Sequence, residues 1–114
     1  MTYSEIISML GDTKLPFAYD HFAEGEAPEP PFLCFLFPSS DNFSADGTVY
    51  QKIDTLHLEL YTDKKQPEVE GALEIVLDRH GLCYNKTEVW IDSERLYEVL
   101  YSTGILWTEE TGGS

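Results

Sequence analysis

Basic residues are scarce in this sequence. Its 114 residues include 7 lysines and arginines against 21 aspartates and glutamates, which gives a formal net charge of −14. The longest basic cluster is Lys64-Lys65. A chain with this balance repels the phosphate backbone of nucleic acids and the anionic surface of cytoplasmic membranes. The composition therefore argues against direct binding to nucleic acid or to a membrane, and it favours docking against a basic protein surface.

Cysteines and long apolar runs are also few. Of the two cysteines, Cys83 stands alone and Cys34 lies within the run FLCFLF, residues 32–37. We expect Cys34 to be a small buried side chain and not a disulfide partner. The same run is the longest apolar stretch and is too short to span a bilayer. The first residues, MTYSEIISML, do not carry the basic and apolar regions of a signal peptide.

Motifs for catalysis, cofactors and metals are missing. His21, His57 and His80 have no spacing that makes a metal pair, and the chain holds no GxSxG, GxxxxGK[ST] or GxGxxG motif. Residues 42–47, NFSADG, resemble the start of a calcium loop, but the twelfth position is Ile53 where a glutamate is needed. Carboxylate pairs can be chosen freely among so many acids and are not informative. The sequence therefore predicts no catalytic, cofactor-binding or metal-binding residue.

Two segments have the apolar spacing of amphipathic helices. In the first, residues 3–10, Thr2 and Glu5 can form a capping box and Gly11 is a stop signal. In the second, residues 67–80, Pro67 suits the first turn and Gly81 the end. The predicted buried stripe of the second helix consists of Val69, Ala72, Leu73, Val76, Leu77 and His80. Gly71 inside this helix costs about 1 kcal/mol relative to alanine, which a close contact between helix and sheet would explain.

Five segments have the composition or alternation of strands. They are residues 15–22, 32–37, 50–61, 88–92 and 96–101, and the last two form a hairpin around Asp92-Ser93. FLCFLF is apolar on both faces and is expected to be a central, covered strand. An acidic loop (residues 23–31) and a second loop (residues 38–48) separate the first three strands. The predicted fold is an α+β sandwich in the order α-β-β-β-α-β-β, with a mostly antiparallel sheet and both helices on one face. We expect one domain over residues 1–107 and a flexible tail over residues 108–114.

Tyrosine is unusually frequent, with seven copies. Tyr50, Tyr61, Tyr97 and Tyr101 fall on predicted strands, on or near the faces opposite the leucine stripes. Tyrosine is enriched where one protein face meets another. These rings therefore either form an interface or pack under the helices, and the sequence leaves both open.

Several segments together resemble a known family. In chain order they are AYDHF followed by the acidic proline-rich stretch and PPF, then SDNFSADGTVYQKI, LELYTDKKQPEVE with the LEIVL helix, and SERLYEVLY. Across residues 3–101 this pattern resembles a family of small acidic phage and prophage proteins, found mainly in Gram-positive bacteria. Members of that family are encoded in the head–tail joining region of long-tailed phages.

The resemblance implies a structural role without catalysis. The expected protein completes or terminates the tail, or is a neighbouring head–tail connector component. It is an α+β sandwich that assembles with itself as a ring, often a hexamer, and meets tail-tube and head-connector proteins. It acts in the cytoplasm of the bacterial host during assembly and afterwards in the virion. No cofactor, catalytic residue, nucleic acid or membrane belongs to this role.

The predicted interface comprises the surroundings of the second loop, one strand tyrosine and the acidic loop. Its residues are Phe43, Asp46, Tyr50, Tyr61, Glu24, Glu26 and Glu29. Phe43 is the main reason for this prediction, because an aromatic residue among polar ones is typical of a contact with another protein. An alternative is an acidic inhibitor or adaptor that mimics nucleic acid, which requires a carboxylate stripe on one face. A small enzyme is a third possibility, and it requires a pocket.

Overall fold

The computed structural model describes residues 1–45 and 47–108 as an α+β fold built on a five-stranded sheet. The elements in chain order are α1 (Tyr3–Asp12), β1 (Phe17–Tyr19), β2 (Phe32–Ser40), β3 (Phe43–Ala45), β4 (Thr48–Gln51), β5 (Ile53–Thr62), α2 (Pro67–Arg79), β6 (Tyr84–Ile91) and β7 (Leu96–Leu106). The strand order in the sheet is β1-β2-β5-β7-β6. Only β1 and β2 are parallel, and the other neighbours are antiparallel. The predicted fold class is thus confirmed.

Both helices pack on one face of this sheet and form the core with it. The sheet contributes Leu33, Phe35, Leu56, Leu58, Leu60, Val99, Tyr101 and Ile105, and the helices contribute Ile6, Met9, Leu10, Leu73, Val76 and Leu77. Every second residue of β5 points into this core, which is why its leucines alternate with more polar residues. We call the opposite side of the sheet the open face.

The helix ends follow the sequence signals in three of four cases. The capping box of Thr2 and Glu5 is present, and Pro67 begins α2. Gly81 has φ +68°, and the N–H of Leu82 donates to the carbonyl of Leu77, as in a Schellman motif. The prediction that Gly11 ends α1 was wrong: the helix continues to Asp12 and is capped by Thr13. Lys14, with φ 64°, turns the chain instead.

The second helix differs from its predicted stripe in three positions. Ala72 and His80 are exposed, whereas Glu70 is only 3% exposed. The predicted close contact at Gly71 is also absent among the described residues, because a Cβ placed there would meet nothing within 4 Å. Geometry therefore gives no reason for glycine at this position.

The limits of several predicted segments were wrong. The strand expected over residues 15–22 contains only three residues, since Asp20 adopts φ 63° and ends it. The expected loop over residues 38–48 contains the end of β2, all of β3 and the start of β4. The strand expected over residues 50–61 is interrupted at Lys52, where β4 ends and β5 begins. As expected, FLCFLF belongs to an inner strand, and Phe32 to Phe35 are buried on both faces.

Candidate interaction surfaces

The segment leading into the acidic loop crosses one end of the open face. The ring of Phe22 packs edge-on against Phe32 at 5.4 Å, and Phe32 stacks on Tyr61 at 5.2 Å. These contacts explain why Phe32 is only 9% exposed, although neither α1 nor α2 covers this face. The predicted interface residues Glu24, Glu26 and Glu29 are all exposed in the acidic loop. The loop thus presents its carboxylates to solvent while the preceding aromatic ring anchors it.

Tyr61 lies between two carboxylates on the open face. Its hydroxyl is 3.3 Å from Glu59 Oε1 and 3.1 Å from Glu98 Oε2. A phenol has one hydrogen, so it can donate to only one of them. Burial, followed by the charge of Glu98, raises the pKa of Glu59. The cluster therefore favours holding a proton, or accepting a cationic group from outside.

A shallow cleft of about 280 Å³ adjoins this cluster. Its lining includes Phe22, Phe32, Cys34, Tyr61 and Leu96. Burial, with a smaller effect of nearby carboxylates, raises the pKa of the Cys34 thiol to about 11. A thiol with this pKa stays protonated at neutral pH and is a poor nucleophile. The cleft is thus suited to receive an apolar or cationic side chain rather than to perform thiol chemistry.

A two-stranded extension projects beyond the opposite end of the sheet. We call residues 41–53 the arm. The β2–β5 ladder ends with Ser40 opposite Asp54, and the Asp41 N–H then donates to the Ile53 carbonyl at 2.8 Å. Beyond this point β3 and β4 pair with each other as a separate two-stranded sheet. The chain therefore continues the β2–β5 ribbon outward instead of forming the predicted loop.

The base of the arm is fastened to the end of β7. The N–H of Trp107 donates to the Lys52 carbonyl at 3.0 Å, and Gln51 Nε2 donates to the Trp107 carbonyl at 3.0 Å. The indole N–H of Trp107 donates to Asp54 at 2.9 Å. Trp107 also packs on Phe37 at 5.3 Å. The base of the arm is thus bonded to the backbone of Trp107, whose side chain is held in turn by Asp54 and Phe37.

An ionic cluster lies between α2 and the core-facing side of β6. Glu70, with a side chain 4% exposed, contacts Lys86 at 2.8 Å and Lys65 at 2.7 Å. Lys86 also contacts Glu74 at 2.6 Å, and the hydroxyl of the buried Tyr101 donates to Glu74 at 2.7 Å. Burial raises the pKa of Glu70, but the two lysines outweigh it and hold that pKa below its ordinary range. The cluster joins helix and strand electrostatically.

Sequence reasoning missed this cluster. Glu70 and Glu74 are one helical turn apart and flank the buried Leu73, which places them beside the apolar stripe. Lys86 lies on β6 among exposed residues, so its position in the strand does not single it out. A carboxylate pair at the edge of a buried stripe was the available signal, and only the fold supplies its lysine partners.

The predicted interface residues fall into two groups at opposite ends of the sheet. Phe43 and Tyr50 lie on the strands of the arm, and Asp46 lies outside the described residues. Tyr61 and the acidic loop lie at the other end, where β2 begins. The nine residues of β2 separate these ends by about 30 Å. The two groups therefore form two surfaces and not a single site.

Two of the strand tyrosines lie on the side of the sheet that the helices cover. Tyr101 is fully buried in the core and bonds α2 through Glu74, so its ring packs under a helix. Tyr97 lies on the same side of β7 and packs on Trp90 at 4.8 Å. Tyr61 lies on the open face.

The part of the chain that the structure describes, residues 1–45 and 47–108, has neither a metal-ligand cluster nor a membrane-spanning helix. No three His, Cys, Asp or Glu side chains in this part of the chain are grouped as metal ligands. None of the helices described there is long and apolar enough to cross a membrane.

The sequence matches no protein-family model and no curated protein.

Proposed function

We propose that this chain is a structural protein of the head–tail junction of a long-tailed phage or prophage, a tail-completion or tail-terminator-like component. It acts by protein–protein assembly, with itself as a ring and with tail-tube and head-connector proteins. The proposal joins the family resemblance of residues 3–101 to one structural observation, which is the projecting arm.

The arm supports an assembly role because a two-stranded ribbon is poorly stable alone. A two-stranded hairpin is marginal in water unless further strands or a helix pack against it. Within the described part of the chain, β3 and β4 pair only with each other. Their base is anchored to the domain by the hydrogen bond from the Trp107 N–H to the Lys52 carbonyl. A surface on a neighbouring protein is the natural place for such an arm to dock.

The distribution of the candidate surfaces supports a head-to-tail arrangement. A ring is formed when one patch on a subunit contacts a different patch on the next. The arm and the surface around Tyr61 lie at opposite ends of β2. In a ring, the arm of one subunit reaches the acidic-loop end of the next. The Glu59–Glu98 pair there offers two carboxylates to a basic group from that neighbour or from another tail protein.

Electron microscopy of an induced lysogen with this gene disrupted tests the proposed function. Filled heads beside separate tails are the result expected for a joining protein, and tails of abnormal length are expected for a terminator. The matched control is the same strain carrying the intact gene in trans, which must restore complete particles. Normal infectious particles in the disrupted strain would overturn the proposal. They would favour the alternative hypothesis of an acidic protein that mimics nucleic acid.

A further inference from the structure

The sheet ends in a long free edge. In the strand order β6 is terminal, and no strand in the described part of the chain pairs with its outer side. Its sequence, YNKTEVWI, contains no proline, and it pairs with β7 without a bulge over its whole length. The residues between Tyr84 and Ile91 are all exposed. Proteins usually protect such an edge by proline, bulges, charged side chains or a covering segment, because it can pair with another strand. Of these, β6 has charged side chains, Lys86 and Glu88.

The direction of the backbone groups along this edge follows from the other end of the sheet. The N–H of Leu33 donates to the Pro16 carbonyl, and the Phe35 carbonyl accepts from the N–H of Asp20. Leu33 and Phe35 therefore direct their backbone groups toward β1. Since these groups alternate in direction along a strand, Cys34 directs its own toward β5.

The same alternation can be carried across the sheet to β6. In three register pairs the two residues direct their backbone groups toward each other. In order across the sheet, these pairs are Cys34–Glu59, Leu60–Val99 and Leu100–Thr87. Thr87 thus directs its backbone N–H and carbonyl toward β7. Its neighbours Lys86 and Glu88, and beyond them Tyr84 and Trp90, direct theirs outward. These four residues can form hydrogen bonds with a new strand.

The outward residues are self-complementary. When a second β6 lies antiparallel with Thr87 opposite Thr87, Lys86 stands opposite Glu88 of the second copy and Tyr84 stands opposite Trp90. Opposite charges and aromatic pairs directly across two strands each stabilise a sheet. The outward residues can also pair in two neighbouring registers. One of these places Lys86 opposite Lys86, and the other places Glu88 opposite Glu88. Charge therefore selects a single register.

We propose that two copies of this chain pair through β6, antiparallel about Thr87, into one continuous sheet. The pairing also extends the ionic cluster. Lys86 contacts Glu70 and Glu74, whereas Glu88 contacts Lys65. Across the new ladder, Lys86 of one copy meets Glu88 of the other, so charges of alternating sign run through both subunits. This twofold pairing uses neither the arm nor the acidic loop, and it does not depend on the proposed function.

Single cysteines on the open-face side of β6 test the register. In a Cys83→Ser background, Thr87→Cys places two thiols opposite each other at a pair without mutual hydrogen bonds, where the Cα atoms are about 4.5 Å apart. This separation lies within the range of a disulfide. The matched controls are Asn85→Cys and Val89→Cys, which stand opposite each other and not opposite themselves. A residue four positions along is about 13 Å away, beyond the reach of a disulfide.

The expected result is a disulfide-linked dimer of Thr87→Cys that forms at least tenfold faster than that of either control variant alone. A mixture of Asn85→Cys and Val89→Cys should give the linked heterodimer. Equal rates for Thr87→Cys and Asn85→Cys would overturn the proposal. So would linkage of Thr87→Cys to the arm of another copy, identified by mass spectrometry. Circular dichroism of each exposed variant checks that it is folded.

Sedimentation velocity of the wild-type protein provides the second test. We expect a monomer–dimer equilibrium, and Glu88→Lys should weaken the dimer at least tenfold because it places like charges opposite each other. Glu94→Lys makes the same charge change in the exposed turn after β6 and should leave the equilibrium unchanged. A wild-type protein that remains monomeric at several hundred micromolar would contradict the inference, as would equal effects of the two substitutions.

Discussion

Replacing Lys86 by methionine tests the ionic cluster beneath α2. The substitution keeps most of the apolar stem but leaves Glu70, with a side chain 4% exposed, facing only Lys65. Removing one partner of a fully buried ion pair costs roughly 3–5 kcal/mol, because the remaining charge stays desolvated. Lys86 is itself 34% exposed and Lys65 remains in place, which reduces this penalty. We expect Lys86→Met to lower the free energy of unfolding by about 2 kcal/mol.

Urea denaturation followed by circular dichroism, at low micromolar protein so that monomers dominate, measures this loss. The exposed Lys64→Met is the matched control and should change stability by less than about 0.5 kcal/mol. Adding Glu70→Leu to Lys86→Met should recover part of the loss, since no buried carboxylate then lacks its partner. Equal losses of stability in Lys86→Met and Lys64→Met would show that Lys86 does not stabilise the buried Glu70. A further loss of stability in the double variant would show the same.

The pH dependence of the stability of Lys86→Met independently checks the direction in which the pKa of Glu70 is shifted. Lysine contacts lower the pKa of Glu70 in the folded state against the opposing effect of burial, from an ordinary value of 4.5. The stabilisation from this carboxylate is therefore present above pH 4.5 and is lost as the pH falls through the folded pKa. We expect the stability difference between wild type and Lys86→Met to shrink on acidification. A difference that grows as the pH falls would contradict the assignment.

Three further substitutions have defined expectations. Tyr101→Phe removes the hydroxyl that donates to Glu74 and should cost about 1 kcal/mol in urea denaturation; no change would mean that solvent replaces the bond without loss. Gly71→Ala should raise the free energy of unfolding by about 1 kcal/mol, because alanine has a higher helix propensity than glycine and the new Cβ meets nothing within 4 Å. Destabilisation would show that another group covers this position. Burial and then Glu98 raise the pKa of Glu59, so stability falls as the pH rises from 4.5 through the folded pKa. Glu98→Gln should therefore stabilise the protein at pH 7 by roughly 0.2–1 kcal/mol and flatten this fall in a pH series of denaturation curves; an unchanged slope would exclude mutual repulsion as its cause.

The fold class could be predicted because its determinants are local. The alternating leucines of β5 and the apolar stripe of α2 appear in sequence as periods of two and about four residues. The Schellman end of α2 could be predicted as well, since Gly81 adopts the left-handed conformation that glycine favours. The parallel pairing of β1 could not, because three residues followed by a turn carry too little periodicity to indicate a partner.

The candidate surfaces were less predictable because they depend on distant partners. Residues 38–48 are polar and contain glycine, which is typical of a loop, and only the adjoining ladder of β2 and β5 shows that the chain continues as an arm. Glu70 was missed because charged residues are rarely buried, and its partner Lys86 is sixteen positions further along the chain. The free edge of β6 depends on strand order, which the sequence does not specify.

Trans-complementation of a gene-disrupted lysogen tests the central claim, that this chain joins parts of the virion through its arm. The measurement is the titre of infectious particles produced with the wild-type gene, with Phe43→Ala, and with residues 42–52 replaced by a two-residue turn. We expect the wild type to restore the titre and Phe43→Ala to restore it only in part. The shortened protein, shown to be folded by circular dichroism, should not restore it. Full restoration by the shortened protein would show that the arm is not needed to join parts of the virion.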